Sequence, residues 1–589
     1  MSYPGEKQNS CFRSSLNLLL PAVICVLGCS RQQPLDDPFE KQTGQYSTQS
    51  TAIRFQDVAS EMGVNFTAVT GQEAHLYSIL ESLGSGIAFC DFDRDMRPDL
   101  AIPGGGHFDE NRLPVGNASA LFRQTPTGQF VTAADSAGLP LPDFYTHGIN
   151  SADFDNDGFC DFLFTGFHGM MMLHNNGDGT VSQIEPGGSE IEQRWSTSSA
   201  VLDVENDGDL DIYITNYVNL SPGDYGECIV KGRRDVCPPG EYAAIDDQLL
   251  LNNGDGTFND GSENARLIPG GKGLAVISGD LDHDGDCDLY VANDTTPNVL
   301  YINDGSGHFS EEGLVSGSAL GANGESEGSM GVEFADLNSD GRTDIWVSNY
   351  ENQSFAMYEC RGLNMFQHVS AVRGITAVGQ MFVGFGTTAL DADCDGDMDL
   401  FATNGHVMYH ATGSPRQQTP LIFENHSGTR FQNVAPFAGE YSSTPHEGRG
   451  LSRADFDSDG RVDVAISHCN APVALLRNVS ETESPDWVCL QLVGRSSNRD
   501  AVGAIIRLAT GDETTVLLQT NGGSYLSSHA TQKTITLRRS KNKPADDSVE
   551  VVWPSGIHSR HPIEGRSVVF CVEPLALKMP GNYAHSFTK

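Results

Sequence analysis

Seven stretches of this chain crowd four acidic positions into nine residues, on the pattern D-x-D-x-D-G-x-x-D. The first carries Asp91, Asp93, Asp95 and Asp99, and the second Asp153, Asp155, Asp157 and Asp161. The third carries Asp203, Glu205, Asp207 and Asp211, and the fourth Asp280, Asp282, Asp284 and Asp288. The fifth has Asp336, Asn338, Asp340 and Asp344, the sixth Asp391, Asp393, Asp395 and Asp399, the seventh Asp455, Asp457, Asp459 and Asp463. Only Asn338 among these is not a carboxylate. Like charges packed so closely repel unless a cation sits among them. Hard oxygen donors, with a backbone carbonyl at the seventh position, suit Ca²⁺, which accepts about six to eight oxygens in flexible geometry. Mg²⁺ fits less well because it keeps its waters. Glycine at the sixth position permits the sharp turn, and Met96 departs from it in the first loop. Glu205 and Asn338 change reach and charge in the third and fifth. These loops are not EF-hands: position 12 is Phe164 in the second and Ile466 in the seventh, where an EF-hand needs Glu.

The flanks of the loops predict strands. A short apolar run precedes each loop, as at 331–335, and an alternating run follows, such as LDIYITNY from Leu210 and TDIWVSNY from Thr343. A third run ends in turn sequences such as LNNGDGTF (251–258), whose Asn-Gly and Asp-Gly steps favour a hairpin. A fourth run opens with Phe130, Phe258, Phe309, Phe366 or Phe431, and with Val181 in the second unit. Four antiparallel strands in each of seven units is the arithmetic of an all-β, seven-bladed β-propeller over 53–480. The seventh unit lacks a fourth strand of its own, and the stretch 54–58 (RFQDV) parallels 430–434 (RFQNV). The N-terminal strand is therefore expected to complete the last blade and close the ring.

The chain has 589 residues, 78 Asp+Glu against 36 Lys+Arg, and a formal charge of −42. That balance excludes nucleic acid as a partner, since a polyanion is repelled from most directions. At the N-terminus, Lys7 and Arg13 precede an apolar run from Leu16 to Leu27, too short to span a bilayer but suited to a signal peptide over 1–28. The run ends in Val26-Leu27-Gly28-Cys29, which resembles a bacterial lipobox. Cys29 is then the expected acylation site, residues 29–52 a flexible tether, and the location the cell envelope, at the outer membrane.

Taken together, the loops resemble the FG-GAP/VCBS repeats of integrin-type propellers. Residues 487–574 resemble an ASPIC/UnbV domain, of the kind found in cartilage acidic proteins. The pieces that carry this likeness are Trp487-Val-Cys-Leu-Gln-Leu, Asn498-Arg-Asp-Ala-Val-Gly-Ala504, Gly522-Gly-Ser-Tyr-Leu526 and Val551-Val-Trp-Pro-Ser-Gly556. After His529 the chain reads Ala-Thr-Gln-Lys-Thr-Ile, a departure from the Gly-Leu-Gly run of that family. Residues 575–589 form a tail. The family's Cys-containing insertion is recognisable around Cys228 and Cys237, which enclose a short basic segment and are expected to form a disulfide in an oxidising compartment. Cys489 and Cys571 are a second candidate pair.

In such propellers the second-to-third strand loops lie opposite the metal loops. The register places Asn216, Asn293, Asn349 and Asn404 there, with His406 just after the last and Arg449 reaching in from a blade connection. One reading is a polar ring for a carbohydrate or protein ligand. The other is that each Asn ends its strand and caps a turn. No G-x-S-x-G, H-E-x-x-H or P-loop occurs, so no catalytic residue is assigned. Trp195 and Trp346 are read as packing residues. The sequence thus predicts a calcium-stabilised, lipid-anchored binding or adhesion module. An extracytoplasmic enzyme acting on polysaccharide and a calcium-responsive assembly protein are the alternatives.

Overall fold

The computed structural model describes residues 51–184, 193–254, 256–482, 486–510, 513–538 and 547–575. The signal peptide, Cys29, nearly all of the tether and the tail beyond residue 575 lie outside the described residues.

Alternating strands separated by Asp-rich and Gly-rich turns can bury their apolar faces only by stacking sheet on sheet. The chain does so with seven antiparallel sheets of four strands each, the fourth gaining a fifth strand from Asn521–Gly522. The fourth blade is typical: Gly273–Gly279, Asp288–Asn293, Val299–Asn303 and Phe309–Glu311 run from the inside outward. The inner strands touch in sequence, Tyr145–Ala152 to Ser196–Leu202 and on to Gly448–Ala454, which meets Ala88–Cys90 of the first blade, and that strand returns to Tyr145–Ala152. The ring is closed. Its seam is the strand Phe55–Asp57, which pairs antiparallel with Ala471–Asn478, Phe55 opposite Asn478, and supplies the outer strand of the last blade.

Between blades the apolar side chains interlock. Trp346 is fully buried against Phe355 and Phe423 of its own and the next blade. Trp195 packs edge-on against Phe167 and Tyr217. Each aromatic of this size buries enough surface to contribute about 2–3 kcal/mol.

After Asn478 the chain forms a smaller two-sheet unit. One sheet holds Lys533–Thr536, Trp487–Val493 and Ser567–Val572, the last two parallel. The other holds Glu513–Leu518, Ile505–Thr510, Ser548–Val552 and His558–Pro562. Leu490, Ile506, Leu508, Val549 and Trp553 fill the space between them. The pairing considered for Cys489 and Cys571 does not form: both are free, buried thiols. Their strands run in parallel register with Leu492, not Cys489, beside Cys571. Cys228 and Cys237 do form a disulfide.

The segment that follows Leu518 leaves this unit and enters the middle of the ring. Asn521 and Gly522 pair with Ser278 and Ile277 of the fourth blade, and Ser524 bridges to Val332 of the fifth. The Leu526 carbonyl accepts from the Ile149 N–H, and Ser528 bridges to Ala88. Four inner strands thus receive one thread. Gly86 is obligatory here, because a Cβ at that position would lie 1.7 Å from the Leu526 carbonyl oxygen. From the opposite end the short helix Leu80–Leu83 meets the thread, and the Tyr525 hydroxyl donates to the Leu83 carbonyl. The centre of the propeller is a packed core.

Candidate metal centre and the two faces of the ring

Each acidic loop joins the inner strand of a blade to its second strand. The ninth-position Asp is the fixed point. In all seven loops one of its oxygens accepts the N–H of the second loop residue, as Asp161 does from Phe154 at 3.1 Å. The other accepts an N–H from the third strand, as Asp161 does from Asn175 at 2.7 Å. The opening Asp accepts the N–H of the sixth residue, for example Asp153 from Gly158 at 2.7 Å. The fifth-position Asp accepts the N–H of the seventh. These bonds curl the loop and turn its carboxylates toward one point.

Two conformational requirements follow. The sixth residue is left-handed in every loop, including Met96 at φ 69°, which holds the turn without glycine. The fourth residue is left-handed as well: Arg94, Asn156, Asn206, His283, Ser339, Cys394 and Ser458 all have φ between 57° and 63°. Nothing in their residue types announces this.

The electrostatics of the loops are unbalanced. Burial pushes Asp99 up to about 7 and Asp161, Asp211 and Asp344 up to about 8. Burial also raises Asp288, Asp399 and Asp463 well above the ordinary carboxylate range. Neighbouring loop carboxylates add to the effect. Asp153 is raised to about 8 by burial and by Asp500, a carboxylate brought in from the C-terminal unit. Oxygens of Asp91, Asp93 and Asp99 lie within 4.8 Å of one another, as do those of Asp153, Asp155 and Asp157, of Asp280, Asp282 and Asp288, and of Asp391, Asp393 and Asp399. One oxygen each of Asp93, Asp153 and Asp391 is buried with no hydrogen-bond partner, and Asp153 as a whole is 3% exposed. A donor set dominated by carboxylate oxygens, some buried and orphaned, with His174 added at the second loop, fits a hard divalent cation.

The loops fall into two kinds. In the first, fifth and seventh, an Arg at the seventh position (Arg97, Arg342, Arg461) ion-pairs with the fifth-position Asp and donates Nε–H to a third-strand carbonyl. In the others that position is Phe159, Asp209, Asp286 or Asp397, and no internal cation sits there. His174 lies 3.2 Å from Asp155 and 3.4 Å from Asp161 beside the second loop.

A set of residues not singled out from sequence ties the loops together. A residue at the end of the third strand, or one before it in the sixth blade, sends its side-chain amide to the second-position carbonyl of the preceding blade's loop. Asn175 reaches Phe92, Asn252 reaches Phe154, Asn303 reaches Val204, Asn425 reaches Leu337 and Asn478 reaches Ala392, at 2.8–3.1 Å. Gln124, one methylene longer, spans the closing seam to Phe456 at 2.8 Å. Only the fifth blade breaks the belt, with Cys360 in that place. There Asn364 reaches Asp282 of the fourth loop instead, at 2.9 Å. The recurrence of Asn before each Gly-rich turn was visible; its partner, some 80 to 100 residues away, was not.

The four Asn of the opposite face are placed inside the blades. Asn216, Asn293, Asn349 and Asn404 are at most 1% exposed. Their amides donate to the carbonyls of Asp246, Pro297, Ser354 and Thr419, closing the connections to the next strand, short turns at Asn293 and Asn349 and longer loops at Asn216 and Asn404. His406 is also fully buried, against Glu351 at 3.3 Å and Tyr350. Arg449 lies in the core over the Phe385 ring, donating to Ser82, Gly405 and Gly448 carbonyls. What reaches the surface there comes from longer connections: residues 71–79, the disulfide insertion, and the loop after His406.

A ring of repeat sheets with an acidic loop on every blade defines the class, a β-propeller of acidic-loop repeats. Residues 153–214 and 280–347 match the FG-GAP-like repeat family, and residues 494–565 match the ASPIC and UnbV family. The chain carries both. It is similar to cartilage acidic protein 1 of Mus musculus, at 25% identity over 527 residues covering 83% of this chain and 74% of that protein. The Homo sapiens protein of that name is 24% identical over 520 residues, covering 83% and 72%. Among solved structures, a lectin of Agrocybe aegerita that recognises non-reducing terminal N-acetylglucosamine aligns with a TM-score of 0.36 at 14% identity, over 64% of this chain and 83% of that one. The BP39L lectin of Burkholderia pseudomallei aligns with a TM-score of 0.39 at 10% identity, over 67% and 97%.

Proposed function

We propose that this chain is a calcium-stabilised binding module of the cell envelope, which captures a ligand without transforming it. The observation that carries the reading is the set of buried loop carboxylates that converge by hydrogen bonding, with one oxygen each of Asp93, Asp153 and Asp391 buried and unpartnered. The first, third, fifth and ninth side chains of each loop would hold Ca²⁺, whose charge would relieve the repulsion that burial imposes. The protein's own part is the fixed frame: backbone N–H groups orient the carboxylates, and the Asn belt keeps neighbouring loops in register. The ring, its centre filled, then presents a rigid rim. Among the described residues no helix is long and apolar enough to cross a membrane. The membrane connection is proposed to be a lipid on Cys29.

The test is an array of glycans and peptides probed with the mature protein in calcium and after chelation. Retention of an unmodified ligand in calcium, lost on chelation, is the expected result. Release of shortened oligosaccharides from a polymer would replace this reading with the enzymatic one.

A further inference from the structure

The face opposite the acidic loops carries a feature at odds with the rest of the molecule. Residues 53–480 contain 63 Asp+Glu against 20 Lys+Arg. Within them the hairpin formed by Cys228–Val230 and Arg233–Asp235 turns on Lys231-Gly232, and Arg233 and Arg234 follow directly. Lys231 and Arg233 are exposed, and the Cys228–Cys237 disulfide pins the base of the hairpin. The one acid inside it, Asp235, is 1% exposed and is consumed by the N–H groups of Val236, Tyr409 and His410. The tip is therefore cationic and held rigidly to a second segment.

That second segment supplies rings. Tyr409 packs edge-on against Tyr77, centroids 5.0 Å apart, with His410 6.2 Å from Tyr77. Arg416 stacks on Tyr409 at 3.8 Å and Arg234 lies over Tyr77 at 5.9 Å. The Lys231 ammonium donates to Thr412 Oγ1 at 2.6 Å, fastening the hairpin beside the rings. All of these rings are half-exposed. Tyr77 and Lys231 are held at φ 54° and 48°, a conformation that costs a non-glycine residue about 1–2 kcal/mol and that surrounding contacts must enforce.

We propose that this surface, formed by residues 75–77, the pinned hairpin and residues 409–416, is a binding site for an anionic polysaccharide. Flat rings offer stacking surface to the C–H faces of sugar rings; Arg416 is already ion-paired to Glu447 at 2.9 Å, so the exposed Lys231 and Arg233 are the groups that meet carboxylates. Together they distinguish a charged glycan from a merely acidic peptide. On so acidic a molecule, the cationic tip also decides where a polyanion can approach at all. The proposal rests on the binding-module reading and names its ligand class and face.

The probe is polygalacturonate immobilised for affinity measurement with the mature protein in calcium buffer, with dextran and poly-glutamate as neutral and peptide controls. Wild type is expected to bind polygalacturonate in preference to both, more weakly as salt rises. The double substitution K231A/R233A is expected to weaken binding at least about tenfold with an unchanged melting temperature. Tyr409→Ala is expected to weaken it too, whereas Tyr409→Phe, which keeps the ring, retains it. Undiminished binding by K231A/R233A overturns the proposal, as does equal binding of poly-glutamate or no polygalacturonate binding at all. A chelator-sensitive melting temperature accompanying any of those results leaves the calcium reading standing.

Discussion

A carboxylate that is buried must be paired, protonated or bound to a cation, and the ninth-position Asp of each loop poses that choice seven times. Its backbone bonds hold it in place without cancelling its charge. Glu333 shows the opposite solution. Burial would raise it, but Arg453 at 2.5 Å and His529 at 3.0 Å outweigh burial and hold its carboxyl down at about 2. His529 belongs to the thread and Arg453 to the seventh blade, so this one acid links three parts of the molecule. A pKa below the unfolded value means the carboxylate's contribution is complete above the ordinary Glu range and is lost as pH falls from about 4.5 toward 2. Glu333→Gln is expected to destabilise by about 3 kcal/mol at neutral pH, because it leaves the half-buried Arg453 without its fully buried counterion. The difference from wild type should shrink across that acid window, as read by denaturant unfolding at several pH values. A constant difference down to pH 2 would contradict the assignment. The acidic positions themselves were legible because their spacing is local. Glu333 was not, since its partners come from other blades and from the C-terminal unit.

Each blade is legible from two-residue alternation and turn residues, and the completing strand at 55–57 from its likeness to 430–433. What alternation cannot show is how blades are fastened to each other. Here that is done by the amide belt, in which every third strand but one has Asn or Gln at or next to its end, aimed at the previous loop. Cys360 leaves the junction of the fourth and fifth blades without this bond. Cys360→Asn is expected to restore it toward the Leu281 carbonyl and to stabilise the fold by about 1 kcal/mol, visible as a higher denaturant midpoint. An unchanged or lower midpoint would mean that Asn364 already does the same work there. The four Asn of the opposite face teach a related lesson. Register alone placed them together, but strand-end Asn residues are consumed by the connections that follow them, and the exposed chemistry moved to the outer parts of longer connections that have no register.

At the scale of the whole molecule, charge is segregated. Residues 487–574 hold ten Lys+Arg against eight Asp+Glu, and this nearly neutral unit sits on the acidic ring by a thread that fills its centre. The Arg499 N–H donates to Asn156 of the second loop, and Arg538 pairs with Asp397 of the sixth at 2.7 Å. The C-terminal resemblance was readable from short motifs, but the threading was not, because Gly522-Gly-Ser-Tyr-Leu526 carries no pattern that names its partners. On the proposed reading, ring, loops and thread all depend on relief of crowded negative charge on one face. The decisive measurement is the thermal unfolding midpoint of the mature protein, stripped by chelator and then titrated with Ca²⁺. We expect a midpoint that is low without the ion and climbs with its concentration, as binding to the folded state alone requires. A stripped protein that unfolds at the same temperature as one saturated with calcium would contradict the account.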